Sequence, residues 1–421
     1  MPDHLRIHRP HLSYHYNEGL IIEDMLYSRI LAKYPAPVLV YSAGKLRDNL
    51  KSLKAAVKGV AGRIGSPSDF PPPKFKFAYC LKACYASEVL KTISKSGVHV
   101  EVMSQKEFRL ARKAGWKPGQ MIWNSPGKSA ADLELIVKEG VGQVNVDCLS
   151  ELEDLDRIAG RHKRKVKFGI RLHPNLKGRT SAFIDDRNRF GFDTRRGAAL
   201  KLCEDLTRFR NLRLSGIHAH AFIRESNWRR FRPYVAFMFD FAAKLYAHTD
   251  IRLDYINLGG GIDSRYRSRK ADILLQTFIH VIRLKYAGLP YQPTVFLELG
   301  RYITADTGFG LARIVRIKKG KEAKWVILDM ASNILIPLNS ADFGVIPAQY
   351  KRGRALRYHV GDNLSSYAGV ITRDCVLKGV AEGDCVLIEN CGAYTQSMAS
   401  QFGHEIPPVL VADKGNLKVC R

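Results

Sequence analysis

Between residues 75 and 299 the chain alternates between two hydrophobic periods. Short apolar runs read "KFAYCL" (76–81), "VHVEVM" (98–103), "QMIWN" (120–124), "GQVNVD" (142–147), "KVKFGIRL" (165–172), "LSGIHAHA" (214–221), "YINLGG" (255–260) and "TVFLEL" (294–299). Runs of this length, rich in β-branched and aromatic residues, predict buried strands. The segments between them, such as "SEVLKTISK", "SQKEFRLARKAG", "SAADLELIVKEG" and "LSELEDLDRIAG", space their apolar residues by three and four and predict amphipathic helices. Ser104 before "QKE" and Ser150 before "ELE" read as helix N-caps. Eight strands, each with a crossover, match a closed parallel barrel rather than an open sheet.

Beyond residue 300 the texture changes. "GFGLARIVRIKKG", "AKWVILDMA", "ALRYHVGD" and "GDCVLIENCGAY" predict hairpin-linked strands of a second domain. "APVLVYSA" (36–43) precedes the first barrel helix and is expected to join that domain, while "GRIGSPSDFPPP" (62–73) reads as a Gly/Pro-rich insertion before the first barrel strand. The predicted fold is α/β: a (β/α)8 TIM-like barrel with a second, mostly antiparallel β domain. Its expected parts are an N-terminal segment over 1–43 contributing to the β domain, a barrel over 44–290 and a C-terminal β domain over 291–421.

Length and composition agree with this. A chain of 421 residues exceeds one ordinary core, and 46% hydrophobic with 25% charged residues is globular. The longest apolar runs fall well short of the roughly 20 residues of a membrane span. The start, "MPDHLRIHRPHLSYHYNEG", lacks the apolar core of a signal peptide, so a cytoplasmic location is expected. Eight cysteines at 80, 84, 148, 203, 375, 385, 391 and 420 form no CxxC pair, so neither a metal site nor a disulfide framework is expected. The charge is unusual: 67 Lys+Arg against 40 Asp+Glu gives +27. The basic residues are spread thinly, and runs such as "RHKRKVK" (161–167) and "RIVRIKKGKEAK" (313–324) read as solvated helix ends and hairpin edges. That argues against a nucleic-acid face and for a field that attracts anions, such as an acidic substrate or an acidic carrier protein holding it.

In a parallel barrel the C-terminal strand ends share one mouth. Lys82 ends the first strand, Glu101 lies late in the second and Asn124 ends the third. Arg171 ends the fifth, His218 and His220 the sixth, Gly259–Gly261 the seventh and Glu298 the eighth. The turn "NLGGG" (257–261) lets backbone approach an anion closely, at the place where barrels often hold phosphate. Alone it reads equally well as a tight turn; Arg301, just beyond Glu298, strengthens the phosphate reading. Desolvation at the mouth is expected to lower the pKa of Lys82 and make it an amine nucleophile. Beside a phosphate cradle, that points to pyridoxal phosphate held as an imine. A lysine snorkelling past a strand end would explain Lys82 alone but not its neighbours. His218 reads as a packed strand histidine.

At this point the chain resembles the alanine-racemase-fold, group IV pyridoxal-phosphate decarboxylases, which include diaminopimelate, ornithine and arginine decarboxylases. The resemblance runs over nearly the whole chain. It rests on "FAYCLKACYASEVLKTISKSG", "EVMSQKEFRLARKAG", "RFGF" (189–192), "GIHAH" (216–220), "NLGGG", "ELGRY" (298–302) and "CGAYTQSM" (391–398), in family order. Glu101 stands where the family usually has aspartate. The resemblance implies that Lys82 holds the cofactor, that His220 stacks on its ring, and that Gly259, Gly260, Gly261, Arg301 and Tyr394 bind its phosphate. Glu298 would pair with the ring nitrogen and keep it protonated, so that the ring can accept electrons. Racemases of this fold place an arginine there, so Glu298 favours decarboxylation. A homodimer with active sites at the interface is likewise implied.

The substrate side departs from the family. Its "GPxCxxxD" segment, whose cysteine reaches the partner's site, corresponds to "HVGDNLSSYAGVITRD" (359–374), with Leu364 at the cysteine position. Cys375 falls some eleven residues later, too far along a strand to substitute simply. The arginine of the diaminopimelate "NDLxRP" segment is missing from "LDMASNILIPLNSADF" (328–343), and "HAFIRE" (220–225) lacks the usual "HxGS". Arg171, Arg224 and Arg373 are candidate anion contacts. The expectation is a decarboxylase with a specialised amino-acid substrate, of the siderophore or antibiotic type, conjugated or carrier-bound. The alternatives are a catalytically silent decarboxylase-like regulator and a racemase.

Overall fold

A computed structural model of the chain describes residues 10–61, 72–174, 176, 189–266, 270–335 and 343–420. All but the last two residues of the expected 62–73 insertion lie outside them. Eight parallel strands close a barrel: Phe75–Cys80, His99–Val102, Met121–Asn124, Gln143–Val146, Val166–His173, Leu212–His218, Tyr255–Asn257 and Thr294–Glu298. Each pairs with the next, and the eighth returns to the first with Val295 opposite Phe75. Because helices cover the outside and side chains fill the inside, strands such as Met121–Asn124 and Gln143–Val146 are buried at every position. That is why they read as continuous apolar runs. The eighth strand lies beyond residue 290, where the barrel was expected to end, so the barrel extends through Glu298.

The helices lie where the three-and-four spacing put them: Ser87–Ser94, Gln105–Ala114, Ala130–Glu139 and Leu149–Arg161. Ser104 caps the second as expected, accepting from the Glu107 N–H (3.3 Å), while the Glu107 carboxylate accepts from the Met103 N–H (2.8 Å). Ser150 does not cap the fourth. That helix starts one residue earlier, at Leu149, with Cys148 at the N-cap position and no side-chain cap.

The second domain is built on the long strand Gly308–Lys319, which pairs antiparallel with Val38–Ser42, Lys324–Leu328 and Cys385–Ile388. Two pairings are parallel, Lys324–Leu328 with Ala355–Asp362 and Val38–Ser42 with Val409–Asp413, so the sheet is mixed. The N-terminal segment joins this domain. Leu12, Leu20, Ile22 and Ile30 share a buried cluster with Val38, Phe309, Leu387 and Leu410. Among the described residues no helix is long and apolar enough to cross a membrane.

Candidate active site

The floor of the barrel mouth is a chain of amides. Tyr255 fills the axis in space that Gly169 and Gly216 leave open; a Cβ on Gly216 would lie 2.2 Å from its ring. The Tyr255 hydroxyl donates to Asn145 Oδ1 (2.8 Å), Asn145 Nδ2 to Asn124 Oδ1 (2.7 Å), and Asn124 Nδ2 to Glu298 Oε1 (2.8 Å). Asn257 Nδ2 donates to the same Glu298 oxygen at 2.8 Å. Glu298 is buried, and burial works against its charge. Its carboxyl nevertheless lies well below the ordinary carboxylate range. His218 Nε2 stands 3.6 Å from Glu298 Oε2, beyond hydrogen-bond length, and burial holds that imidazole neutral. We therefore assign the ionised state of Glu298 to its two amide donors and to the charge on Lys82.

Lys82 sits in the tight turn Leu81–Ala83, directly after the first strand. The first two strands pair Cys80 with Glu101, and that register brings the Glu101 carboxylate into hydrogen-bond contact with Lys82 Nζ. The Lys82 side chain keeps 34% of its surface exposed, against 2% for Glu101. Burial pulls the ammonium's pKa down, but the Glu101 charge outweighs it and the net shift is upward. The lowered pKa expected from sequence is thus reversed, because an anion faces the amine. Glu101 is itself pushed up to about 7, mainly by burial and also by Glu298, with Lys82 opposing.

The glycine turn is locked to this floor. Asn257, which holds Glu298 through its amide, also accepts from the Gly259 N–H through Oδ1 (3.0 Å). The Gly260 N–H donates to His220 Nδ1 (3.1 Å), and burial lowers the His220 pKa to about 3, fixing a neutral ring. Gly260 has to be glycine: a Cβ there would lie 1.6 Å from the Glu298 carbonyl oxygen. Gly259 and Gly261 take φ of +59° and +96°. Two of the three glycine N–H groups expected to face an anion are therefore engaged within the chain.

Tyr394 reaches this mouth from the β domain of the same chain. Its N–H donates to Ala83 O (2.8 Å), one residue from Lys82, and the Arg301 guanidinium lies over its ring at 5.2 Å. Arg301 Nε is 3.8 Å from Asp263 Oδ1, and Arg224 Nε donates to Asp263 Oδ2 at 3.1 Å. Arg171 is buried at the mouth, with Nε 3.8 Å from Asp147 and its guanidinium 4.2 Å above the Phe190 ring; burial lowers its pKa and Asp147 opposes. Arg373 is not brought to this group. It lies on strand Val370–Lys378 and lines a separate groove of about 880 Å³ with Tyr14, Tyr350, Lys351 and Cys375. Within one chain it is no substrate contact at the mouth, because its strand belongs to the far sheet edge.

The model of the pyridoxal-dependent decarboxylase pyridoxal-binding domain matches residues 66–305. This chain belongs to that family. It is similar to diaminopimelate decarboxylase of Zymomonas mobilis, 26% identical over 392 residues covering 92% of this chain and 89% of the relative. It is similar also to that of Aquifex aeolicus, 23% identical with 99% and 96% covered. Among solved structures, diaminopimelate decarboxylase from M. jannaschii in complex with L-lysine superposes with a TM-score of 0.88 at 23% identity, covering 98% of this chain and 95% of the other. A lysine/ornithine decarboxylase from Vibrio vulnificus, complexed with cadaverine, gives 0.76 at 20%, with 91% and 96% covered. The cofactor is pyridoxal phosphate.

The residues present fit that group. An amine, a buried ionised carboxylate, a neutral imidazole, a turn that admits no Cβ and a guanidinium converge on one mouth. Sequence reading named most of these but missed the supporting shell. Asn257 was visible only as the first letter of "NLGGG", and Asn145, Tyr255, Asp147 and Asp263 carried no signal beyond polar residues in or just beyond apolar strands.

Proposed function

We propose that this chain decarboxylates an amino acid other than diaminopimelate, working as a homodimer. The observation that carries the reading is Glu298, a buried carboxylate kept ionised by two amides within reach of Lys82. Bound pyridoxal phosphate supplies an electron sink for the pair released as carbon dioxide leaves. The chain's own groups do the rest. Lys82 is the attachment point for the aldehyde, and its contact with Glu101 positions the amine. His220, fixed by the Gly260 N–H, would cover one ring face. Glu298 would keep a proton on the ring nitrogen. Gly259, Gly260 and Gly261 would let the backbone approach the phosphate, with Arg301 and Tyr394 as its side-chain contacts. Arg171 is a substrate-side candidate, held by Asp147.

Support for a different substrate comes from the departures around this cofactor-side set. Leu364, at the family cysteine position, lies in the loop after Ala355–Asp362, with its N–H on Asp362 Oδ1 (3.1 Å) and its side chain against Gly403. The neighbouring Tyr367 is fully exposed on the same loop, as a loop that completes another copy's site would be. A specialised amino acid, conjugated or carried by an acidic protein, suits these changes and the +27 charge. The test is a mass-spectrometric screen of amino acids, free, conjugated and carrier-linked, for loss of one carboxyl group. Decarboxylation of at least one non-diaminopimelate substrate, absent in Lys82→Ala, is expected. Release of carbon dioxide from none of them would leave the silent regulator, which the Leu364 departure favours.

A further inference from the structure

We propose that Tyr255 is a positioning residue of the cofactor site: its hydroxyl sets the direction of the amide relay through Asn145 and Asn124 and so aims their donors at Glu298. The inference deepens the cofactor reading above and rests on it. An ionised carboxylate only accepts hydrogen bonds, whereas an amide accepts through oxygen and donates through nitrogen. Glu298 therefore demands the NH2 of Asn124 (2.8 Å). Asn124 then turns Oδ1 to Asn145, which has to answer with its own NH2 (2.7 Å). That leaves Asn145 Oδ1 facing Tyr255, whose hydroxyl donates at 2.8 Å. Every donor points one way, towards the carboxylate.

The relay has one other internally consistent arrangement. With both amides turned over, Asn145 would donate to the Tyr255 oxygen, and Asn124 would turn Oδ1 to Glu298. Two oxygens would then face each other unless the carboxyl took up a proton. The tyrosine decides against that arrangement. Burial raises its pKa and keeps the phenol protonated. A buried phenol proton needs an acceptor, and Asn145 Oδ1 serves as one only in the first arrangement. Phenylalanine at 255 would leave both arrangements short of one hydrogen bond and remove the preference between them.

The barrel is built to make this contact. Tyr255 comes from the seventh strand and crosses the axis to the fourth, while Asn145 and Asn124 stand opposite each other in register on the fourth and third. A Cβ on Gly169 would lie 2.2 Å from the Tyr255 hydroxyl and 2.4 Å from Asn145 Oδ1, so glycine there clears the point at which the two meet. Asn257, two residues beyond Tyr255 and on the same face of the strand, donates to Glu298 Oε1 directly (2.8 Å). Tyr255, Asn145, Asn124, Asn257 and Glu298 are all buried, so bulk water offers no substitute donor. The competing view is that Tyr255 only fills the axis against Phe296, 6.0 Å away between ring centroids, and that its hydroxyl has no bearing on the cofactor.

The two views separate on the ring nitrogen, the atom Glu298 is read to pair with. Dissociation constants would be measured by calorimetric titration of cofactor-stripped full-length protein, for pyridoxal phosphate and for its carbocyclic analogue with C–H in place of that nitrogen. Wild type is expected to favour pyridoxal phosphate. Tyr255→Phe is expected to weaken pyridoxal phosphate about three- to tenfold, the net worth of one hydrogen bond, and to leave the analogue within about twofold. Unchanged analogue affinity in the same variant shows that its site is folded. In an Asn145→Leu background, where the relay is cut, the Tyr255→Phe loss should disappear. A Tyr255→Phe protein that keeps the wild-type preference, or weakens both ligands equally, overturns the proposal alone, as does a loss that persists in full in the Asn145→Leu background. Equal wild-type affinities would overturn it together with the cofactor reading.

Discussion

Replacing Glu101 by glutamine keeps the size and one acceptor of the side chain but removes the charge that faces Lys82. The ammonium then loses its counter-ion while its burial is unchanged, so its pKa must fall. Two unit charges about 3 Å apart attract by roughly 5 kcal/mol at an effective dielectric of 20. Lys82 keeps about a third of its side chain in solvent, which discounts that figure towards the range of about 1 kcal/mol or less measured for exposed pairs. An intermediate value of about 1.5–3 kcal/mol corresponds to roughly one to two pKa units. Condensation with an aldehyde needs the free amine. The rate at which cofactor-stripped protein takes up pyridoxal phosphate, followed by visible absorbance across pH, therefore reports the Lys82 titration. Glu101→Gln is expected to move the midpoint of that profile down by about one to two units and to speed uptake at neutral pH. A midpoint that stays in place or rises would show that Glu101 does not set the charge on Lys82.

Two other perturbations test the frame. Gly260→Ala would drive a Cβ to 1.6 Å from the Glu298 carbonyl oxygen; with backbone on both sides unable to yield, about 3 kcal/mol of stability should be lost, the upper end of overpacking costs, along with cofactor binding. A variant with wild-type urea midpoint and affinity would contradict the packing. At the N-terminus His11 bridges Glu23 (2.9 Å) and Asp48 (2.8 Å), with Lys45 and Lys51 also close to Asp48. Burial opposes its charge, but the two carboxylates raise its pKa above 6.5, while the pKa values of Glu23 and Asp48 fall below 4.5 and 3.8. The histidine's contribution is full below pH 6.5 and lost as pH rises through the raised value; the carboxylates' contribution is lost as pH falls through theirs. Amide exchange in Leu12–His15, corrected for intrinsic rates, should accordingly be slowest near pH 5–6.5 and lose that optimum in His11→Ala, whereas an optimum surviving the substitution would assign it elsewhere.

The barrel was legible because its strands are buried on both faces and its helices on one, so the period of the apolar residues switches cleanly. The eighth strand, "TVFLEL", was read as part of the barrel from its apolar run, and its pairing with Phe75–Cys80 agrees; only the domain bound drawn at 290 fell short of it. Ser150 failed as a cap because Leu149 before it could already enter the helix. At the site, residues carrying charge or unusual backbone stood out. The expected pKa of Lys82 went the wrong way because its environment is set by Glu101, a neighbour through strand register and nineteen positions away in sequence. Asn124, Asn145 and Asn257 act through hydrogen bonds between strands, and nothing in one strand announces a partner in another. Arg373 looked equivalent to Arg171 as an isolated arginine, yet only one of them sits on a barrel strand.

These pairings also bear on what the enzyme accepts. Around the mouth Lys82 faces Glu101, Arg171 faces Asp147, and Arg224 and Arg301 share Asp263. The carboxyl group that leaves as carbon dioxide gains nothing in rate from a tight cationic grip, because interactions equally strong before and during bond breaking do not lower the barrier. A distal carboxylate, as in diaminopimelate, would need a cation of its own, and the arginine expected for it in 328–343 is not in the sequence. The surplus of +27 still acts from outside the mouth, where it draws anions over long distances without fixing them in one pose. A mouth in which each of these cations already has a carboxylate beside it, under a surface with its charges unmatched, would suit the proposed substrate that inserts an amino-acid head and leaves an acidic remainder outside. A salt dependence confined to kcat/KM, with kcat flat, is the kinetic form that division would take.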